Sequence, residues 1–308
     1  MAKKIYYNVF SWILVLGLIV VWQAALAGPS PLASEESPDK PFIVTSIKPL
    51  AIIVQSALGN QARVEYLQSA AQSAHDVSLQ VSALKKLEQA DLIVWIGNSF
   101  ESRIAKSMAL IAQDKLLTIQ SLQLAQPNTA SSESAHSLAA DDHSHKHNHQ
   151  GLNYDPHVWL NPENANQIAR HIQRRLGVEQ KAIISEQQIA RLTAELAPWH
   201  ERYFLVHHDA LGHFTDAFHL QPGLSIRSVS GASQGAKSLY QLRKDATALR
   251  ASCVFVEPQY ADRDARAIAH ELSLKLIEVD IQGIDQPLSA ESYTQFMTTL
   301  TMRFKSCF

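Results

Sequence analysis

Short apolar runs alternate with amphipathic stretches along most of the chain after residue 40, and this alternation predicts strands and helices in turn. The clearest strand is DLIVWIG at 91–97, a continuous apolar run that ends at a glycine. Similar short runs, rich in β-branched or aromatic residues, predict further strands at 41–47, 62–68, 115–120, 202–208, 224–230, 252–258 and 275–281. Strands that alternate with helices form parallel sheets through right-handed crossovers, so the pattern predicts an α/β fold.

The segment NPENANQIARHIQRRL has the best-marked helix start in the sequence. Asn161 can cap the helix, Pro162 suits its first position and Glu163 favours its first turn. Apolar residues at helical spacing predict other helices, notably over 101–111, 179–197, 238–250, 261–272 and 290–305.

The strand–helix series occurs once before the helix at 179–197 and again after it. We therefore predict two α/β lobes, each with a parallel β-sheet flanked by helices, joined by a long connecting helix. The predicted boundaries are 41–177 for the N-terminal lobe, 178–200 for the connecting helix and 201–308 for the C-terminal lobe.

The first 27 residues have the pattern of a secretory signal peptide. Lys3 and Lys4 precede an apolar run over 12–22, and a small-x-small sequence ends at Ala27. We expect cleavage near Ala27 and export; the alternative is a membrane anchor, because the run is nearly long enough. Residues 28–40 are rich in Pro, Ser and acids and are predicted to be a flexible lead-in. No later apolar run approaches a membrane span, so we expect a soluble mature protein.

Residues 125–155 show no apolar periodicity and are predicted to be a disordered loop. The loop contains a tract of alternating histidines: His143, His145, His147 and His149. In an extended chain these four imidazoles lie on one side. Ordering a flexible chain around a metal costs conformational entropy, so we expect weak, exchangeable accessory sites. The alternative is a loop that is merely polar.

The formal net charge is −2, with 27 basic and 29 acidic residues. This balance argues against a nucleic-acid partner, which needs a concentrated basic surface. The two cysteines are Cys253 and Cys307. Export places them in an oxidising compartment, where a disulfide is the default. A thiolate metal site is the alternative, but the sequence has no C-x-x-C pair.

Candidate metal ligands follow several of the predicted strands. His75 comes shortly after the second strand, His157 follows the long loop, His207 and His208 end the fifth strand, and Asp280 lies near the end of the last one. Parallel α/β sheets bind ligands outside the carboxyl ends of their strands. Neutral imidazoles with one carboxylate suit tetrahedral zinc. A single His at a strand end is more often a structural, hydrogen-bonded residue than a ligand, and Asp280 alone could cap a turn or a helix.

Several segments together resemble the zinc-binding solute receptors of ABC importers, the ZnuA type. They are SIKPL at 46–50, AHDVSLQVSALKKLEQADLIVWIGNSFE at 74–101, DPHVWLNPENA at 155–165, HDALGHF at 208–214 and FVEPQY at 255–260. The resemblance implies two α/β lobes joined by one long helix, with a metal held between them. It also implies a His-rich loop at the place where this chain has its histidine tract.

The resemblance implies that His75, His157 and His208 are metal ligands. In related receptors a late Asp supplies a fourth ligand, which here corresponds to Asp280, although the Pro of the family motif is missing. Ala74 stands where the family often has Pro or Glu, so no Glu ligand is available there.

Matching HDA selects His208 rather than His207, because adjacent strand residues point to opposite faces. Asp209 and Glu257 are predicted to orient the ligands from outside, with direct ligation by Glu257 as an alternative. A His as third ligand favours zinc over manganese, while affinity order alone would also admit copper or nickel.

We therefore expect a periplasmic, high-affinity receptor that delivers Zn²⁺ to an inner-membrane ABC permease, acts as a monomer and catalyses no reaction. One alternative is a periplasmic zinc buffer or chaperone built around the loop, and another is a receptor for manganese or iron. A secreted zinc hydrolase is a third, but His270-Glu271 begins a motif that lacks the second His of H-E-x-x-H.

Overall fold

The computed structural model describes residues 40–73, 75, 79–127 and 154–308. The predicted signal peptide, the lead-in up to residue 39 and the histidine tract lie outside these residues; the tract comprises His143, His145, His147 and His149. Residues 41–308 form one compact unit. Within the described residues, no helix is long and apolar enough to cross a membrane.

The described residues contain two sheets in which every strand pair is parallel. The strands are β1 (Phe42–Thr45), β2 (Arg63–Tyr66), β3 (Leu92–Trp95), β4 (Leu116–Thr118), β5 (Leu205–His208), β6 (Leu224–Arg227), β7 (Cys253–Val256) and β8 (Lys275–Glu278). The first sheet has the order β2-β1-β3-β4 and the second has the order β6-β5-β7-β8. This architecture confirms the predicted α/β class, and each strand lies within a range predicted from the sequence.

The central strands of each sheet explain the continuous apolar runs in the sequence. Every residue of β1, β3, β5 and β7 is buried, whereas β2, β6 and β8 are partly exposed. Parallel strands covered on both faces require apolar side chains at successive positions. The strand β5 departs from this rule, because it ends in two buried histidines, His207 and His208.

Helices connect the strands and cover the sheets. They are α1 (Lys48–Leu58), α2 (Val81–Gln89), α3 (Ala105–Met108), α4 (Pro162–Arg175), α5 (Glu186–Leu196), α6 (Gly212–Ala217), α7 (Ala236–Ala248), α8 (Arg263–Glu271) and α9 (Ser292–Lys305). The predicted start of α4 is present, since the Asn161 side chain accepts hydrogen bonds from the backbone N–H groups of Glu163 and Asn164.

The region 178–200 contains the 11-residue helix α5, which is shorter than the connecting helix predicted there. Residues 178–185 are not helical. Ser185 starts the helix through a capping box. Before it, the side chains of Asn166 and Gln173 hydrogen-bond with backbone groups of the 181–184 segment. Because side chains satisfy these polar groups, the segment is stable without helical hydrogen bonds.

Two further predictions need correction at their edges. The helix predicted over 101–111 is only the single turn α3, because the buried Glu101 side chain accepts hydrogen bonds from the backbone of Ile96 and Gly97 and holds a turn there. The loop predicted to be disordered over 125–155 has ordered ends. The Ala125 backbone exchanges hydrogen bonds with the Asn164 side chain on α4.

The last helix, α9, links the two halves of the chain. It packs against α1 and α5, and the Tyr293 hydroxyl donates to the Trp159 carbonyl oxygen at 2.8 Å. At its other end, Cys307 forms the predicted disulfide with Cys253 of β7, with Cα atoms 5.5 Å apart. One hydrophobic core extends from the first sheet through α9 to one face of the second sheet, and a second, smaller core packs the second sheet against α7 and α8.

Candidate metal centre

Three histidines from distant parts of the chain meet at the carboxyl ends of the two sheets. His75 follows β2, His157 precedes α4, and His208 is the last residue of β5. Their ring centroids are 5.2 to 5.6 Å apart. One possible ligand nitrogen from each ring lies within 4.8 Å of the other two. This is the only group of three or more potential metal ligands in the described residues.

Carboxylates fix the tautomers of two of these rings. Nδ1 of His157 lies 2.8 Å from an oxygen of Asp155, and Nδ1 of His208 lies 2.5 Å from an oxygen of Glu257. An ionised carboxylate only accepts hydrogen bonds, so each Nδ1 must donate. In the neutral rings Nε2 then carries the free lone pair. A carboxylate behind the imidazole is the usual arrangement for a histidine that binds a metal.

The two Nε2 atoms of His157 and His208 face each other at 3.3 Å. Two lone pairs at this distance repel unless a cation or a proton lies between them. Two nitrogens that are each about 2.0–2.1 Å from a tetrahedral zinc ion lie about 3.3 Å from each other. The spacing of the pair therefore suits zinc.

His75 completes the group from the first sheet. Its Nε2 is buried and has no hydrogen-bond partner in the described part of the chain. Its ring packs edge-on against Phe100 at 4.6 Å, and its backbone N–H donates to the Ser73 hydroxyl. A buried polar atom without a partner is costly. A metal ion between the three rings would satisfy this nitrogen.

The protonation of the three rings differs because their surroundings differ. Burial, followed by repulsion from the other two histidines, lowers the pKa of His75 to about 2. Burial also lowers the pKa of His157 far below its usual value. For His208 burial acts in the same direction, but the charge and hydrogen bond of Glu257, with Asp209 and Asp155, outweigh it and raise the pKa. His75 and His157 are therefore neutral, and His208 keeps a proton to a higher pH than either of them.

The structure brings Glu257 into contact with His208, the place predicted for an orienting carboxylate. Asp209 acts on His208 through its charge. Asp280 is not in the group of potential ligands found in the described residues; its carboxylate accepts hydrogen bonds from the backbone of Gln282 and Ile284. His207 lies apart from the group, and its Nε2 is 3.1 Å from Asp264 of α8.

Sequence reasoning missed Asp155, although it stands two residues before His157 in the DPHVWL motif. Its carboxylate binds both Nδ1 and the backbone N–H of His157. Its own backbone is held by the side chains of Gln126 and His213, at 2.7 and 3.0 Å. His213 lies on α6, so the hydrogen bond from His213 comes from the half of the chain that carries His208. The sequence signal that could have identified Asp155 is an acidic residue two positions before a candidate ligand.

Asp155 gives a test of how the site is positioned. We expect Asp155→Asn to weaken metal binding by about 10–100-fold, because an amide cannot hold the His157 tautomer as a carboxylate does. A competition titration against a chromophoric chelator measures this. Asp114→Asn is the matched control, since this exposed residue precedes β4 and lies at the opposite edge of the first sheet. Equal affinities of the Asp155 variant and the control would contradict the assigned role.

Comparisons with known proteins identify the family of the chain and proteins with a similar fold. The chain is 28% identical to the high-affinity zinc uptake system protein ZnuA of Yersinia pestis, over 92% of this chain and 96% of that protein. It is 26% identical to the ZnuA protein of Haemophilus influenzae, over 86% and 92%. Its fold is similar to that of the periplasmic zinc binding protein TroA from Treponema pallidum, with a TM-score of 0.67 and 17% identity, over 87% of this chain and 99% of that one. A model of the family described as zinc-uptake complex component A, periplasmic, matches residues 43–307, and the chain belongs to this ZnuA family.

Proposed function

We propose that this protein is a periplasmic receptor that binds one Zn²⁺ between its two sheets and delivers it to an ABC permease of the inner membrane. The observation that carries the proposal is the group of His75, His157 and His208, in which each ring presents a nitrogen to a common point. Two of the rings come from the first half of the chain and one from the second. An ion at this point holds the halves together, and separation of the halves would release it.

The chemistry of the group favours zinc. Three imidazole nitrogens suit zinc, whereas manganese and magnesium prefer oxygen ligands. The relatives in Yersinia pestis and Haemophilus influenzae are named as zinc uptake proteins, which supports the same metal here. Their description as components of an uptake system supports a membrane permease as the partner, and the family description supports a periplasmic location. A receptor needs only binding and release, so no catalytic step is assigned.

Native mass spectrometry during a zinc titration tests the number of zinc sites. The sample is the chain from residue 28, compared with the same chain lacking residues 136–149. We expect both proteins to retain one tightly bound zinc, because the three ligands lie outside the deletion. We expect only the intact loop to bind further zinc ions, weakly, through its accessory histidines. If the deletion removes all zinc binding, the protein is a loop-based buffer and the receptor proposal is wrong.

The affinity for zinc should depend on pH through a single proton. Because His75 and His157 are neutral at physiological pH, zinc displaces a proton only from His208, whose pKa is raised. Above that pKa the affinity should be constant, and below it the affinity should fall about tenfold per pH unit. Calorimetry in buffers of different ionisation enthalpy counts the released protons.

The Glu257→Gln variant serves as the comparison for this measurement. It removes the charge that raises the pKa of His208, so its loss of affinity should begin at a lower pH. Release of two or three protons near pH 6.5 would contradict the assigned protonation states, because it would mean that His75 or His157 is also charged in the metal-free protein.

A further inference from the structure

We propose that Asp280 is a positioning residue that fastens the two halves of the metal centre together, and that it does not bind the metal. This inference rests on the proposed zinc-receptor function. It concerns the turn formed by residues 280–284, which follows β8 and is called the 280–284 turn below. The turn makes hydrogen bonds with three segments of the first half of the chain, two of which carry zinc ligands.

The Asp280 carboxylate holds the 280–284 turn in its shape. One of its oxygens accepts a hydrogen bond from the Gln282 N–H at 3.0 Å, and the other accepts one from the Ile284 N–H at 2.5 Å. Both oxygens of the carboxylate therefore accept a hydrogen bond from the turn. Gly283 has a φ of +66°, and a Cβ there would lie 2.5 Å from Ile52 of α1. The turn thus depends on Asp280 for its shape and on Gly283 for its close approach to α1.

Two contacts of the turn reach the ligand segments. The Ile281 carbonyl oxygen accepts a hydrogen bond from Nε1 of Trp159 at 2.8 Å, and the Trp159 ring packs edge-on against His157 at 5.3 Å. The Gln282 side chain donates to the Gln72 carbonyl oxygen at 3.0 Å. Gln72 lies three residues before His75. Each first-half ligand therefore has a neighbour in the chain that is bonded to the turn.

A third contact fixes the turn to α1. The side chain of Lys48, the first residue of α1, donates to the Ile284 carbonyl oxygen at 2.6 Å. Lys48 is buried, and Asp280 and Asp285 both attract its charge. The residues behind a binding site must hold its side chains within about 0.5 Å of their working positions. The turn provides this support across the boundary between the two halves.

The test separates a positioning role from ligation. We expect Asp280→Ala to weaken zinc binding by about 10–100-fold, as loss of an outer partner does, while one ion per protein still binds. The absorption spectrum of bound Co²⁺, which reports the ligand set, should be the same as in the wild-type protein. Asp280→Asn keeps one acceptor oxygen and should lose less affinity than Asp280→Ala. Asp285→Asn is the control, because it also removes a charge near Lys48 and leaves the turn intact.

A second set of variants links the effect to the turn. Gln282→Ala removes the contact with Gln72, and its loss of affinity should not add to that of Asp280→Ala, because both disrupt the same turn. If Asp280→Ala does not fold, the comparison of Asp280→Asn, Gln282→Ala and their double variant decides the same question.

The outcomes that overturn the inference differ from those that overturn the zinc-receptor proposal. A changed Co²⁺ spectrum in Asp280→Asn would identify Asp280 as a ligand. Unchanged zinc affinity in both Asp280 variants, or additive losses with Gln282→Ala, would remove the positioning role. In each of these cases the wild-type protein still binds zinc and remains a receptor. Absence of tight zinc binding by the wild-type protein would instead refute the proposed function.

Discussion

His208→Ala should abolish high-affinity zinc binding. We expect a loss greater than the about 10–100-fold that follows removal of an outer partner of a ligand, because this change removes a ligand itself. The substitution also leaves the Glu257 carboxylate, which is only 6% exposed, without the ring that it binds. Glu257 then keeps the Gln259 side-chain amide, which donates to its other oxygen at 2.6 Å, and a buried charge that loses a partner is destabilising.

The measurement is a zinc competition titration, with circular dichroism to verify that the variant is folded. His270→Ala is the matched control, because this exposed histidine lies at the end of α8 in the same half of the chain. The control should bind zinc as the wild-type protein does. Wild-type affinity in His208→Ala would show that the zinc ion binds elsewhere.

Of the substitutions proposed, removal of the Cys253–Cys307 disulfide should cause the largest loss of stability against unfolding. The bond closes a loop with a sequence separation of 54 residues, which corresponds to about 4 kcal/mol in the chain-entropy model. The double variant Cys253→Ala/Cys307→Ala should therefore unfold at a lower denaturant concentration than the oxidised protein. The comparison must use metal-free protein, because bound zinc adds its own stabilisation.

We also expect the disulfide to support the proposed metal centre from a distance. It attaches the end of α9 to β7, while Tyr293 near the start of α9 donates to the carbonyl oxygen of Trp159, two residues after His157. We expect the double variant to bind zinc more weakly than the oxidised protein, even at denaturant-free conditions where both are folded. An unchanged unfolding midpoint would contradict the stabilising role of the bond.

The sequence predicted the strands well because burial on both faces leaves a direct signal in the residues. Each central strand is a short apolar run, and this pattern does not depend on distant contacts. The connecting helix was predicted less well. Its apolar spacing suggested a helix from residue 179, but the side chains of Asn166 and Gln173 bind the backbone before Ser185. These are tertiary contacts, which local periodicity does not report.

The same distinction applies to the metal centre. The meeting of His75, His157 and His208 at one point could be predicted, because they follow strands and match family motifs. Asp155 and the 280–284 turn act through hydrogen bonds between segments that are far apart in sequence. Asp280 shows the limit most clearly: its position near a strand end predicts a ligand, but no local pattern indicates that its carboxylate accepts hydrogen bonds from the backbone of its own turn.

The most direct test of the zinc site is anomalous diffraction at the zinc absorption edge from crystals of the zinc-bound protein. We predict one dominant peak between the two sheets, about 2.0–2.1 Å from one nitrogen each of His75, His157 and His208. A dominant peak at the histidine tract, or a zinc ion between the sheets that does not contact His208, would contradict the proposed centre.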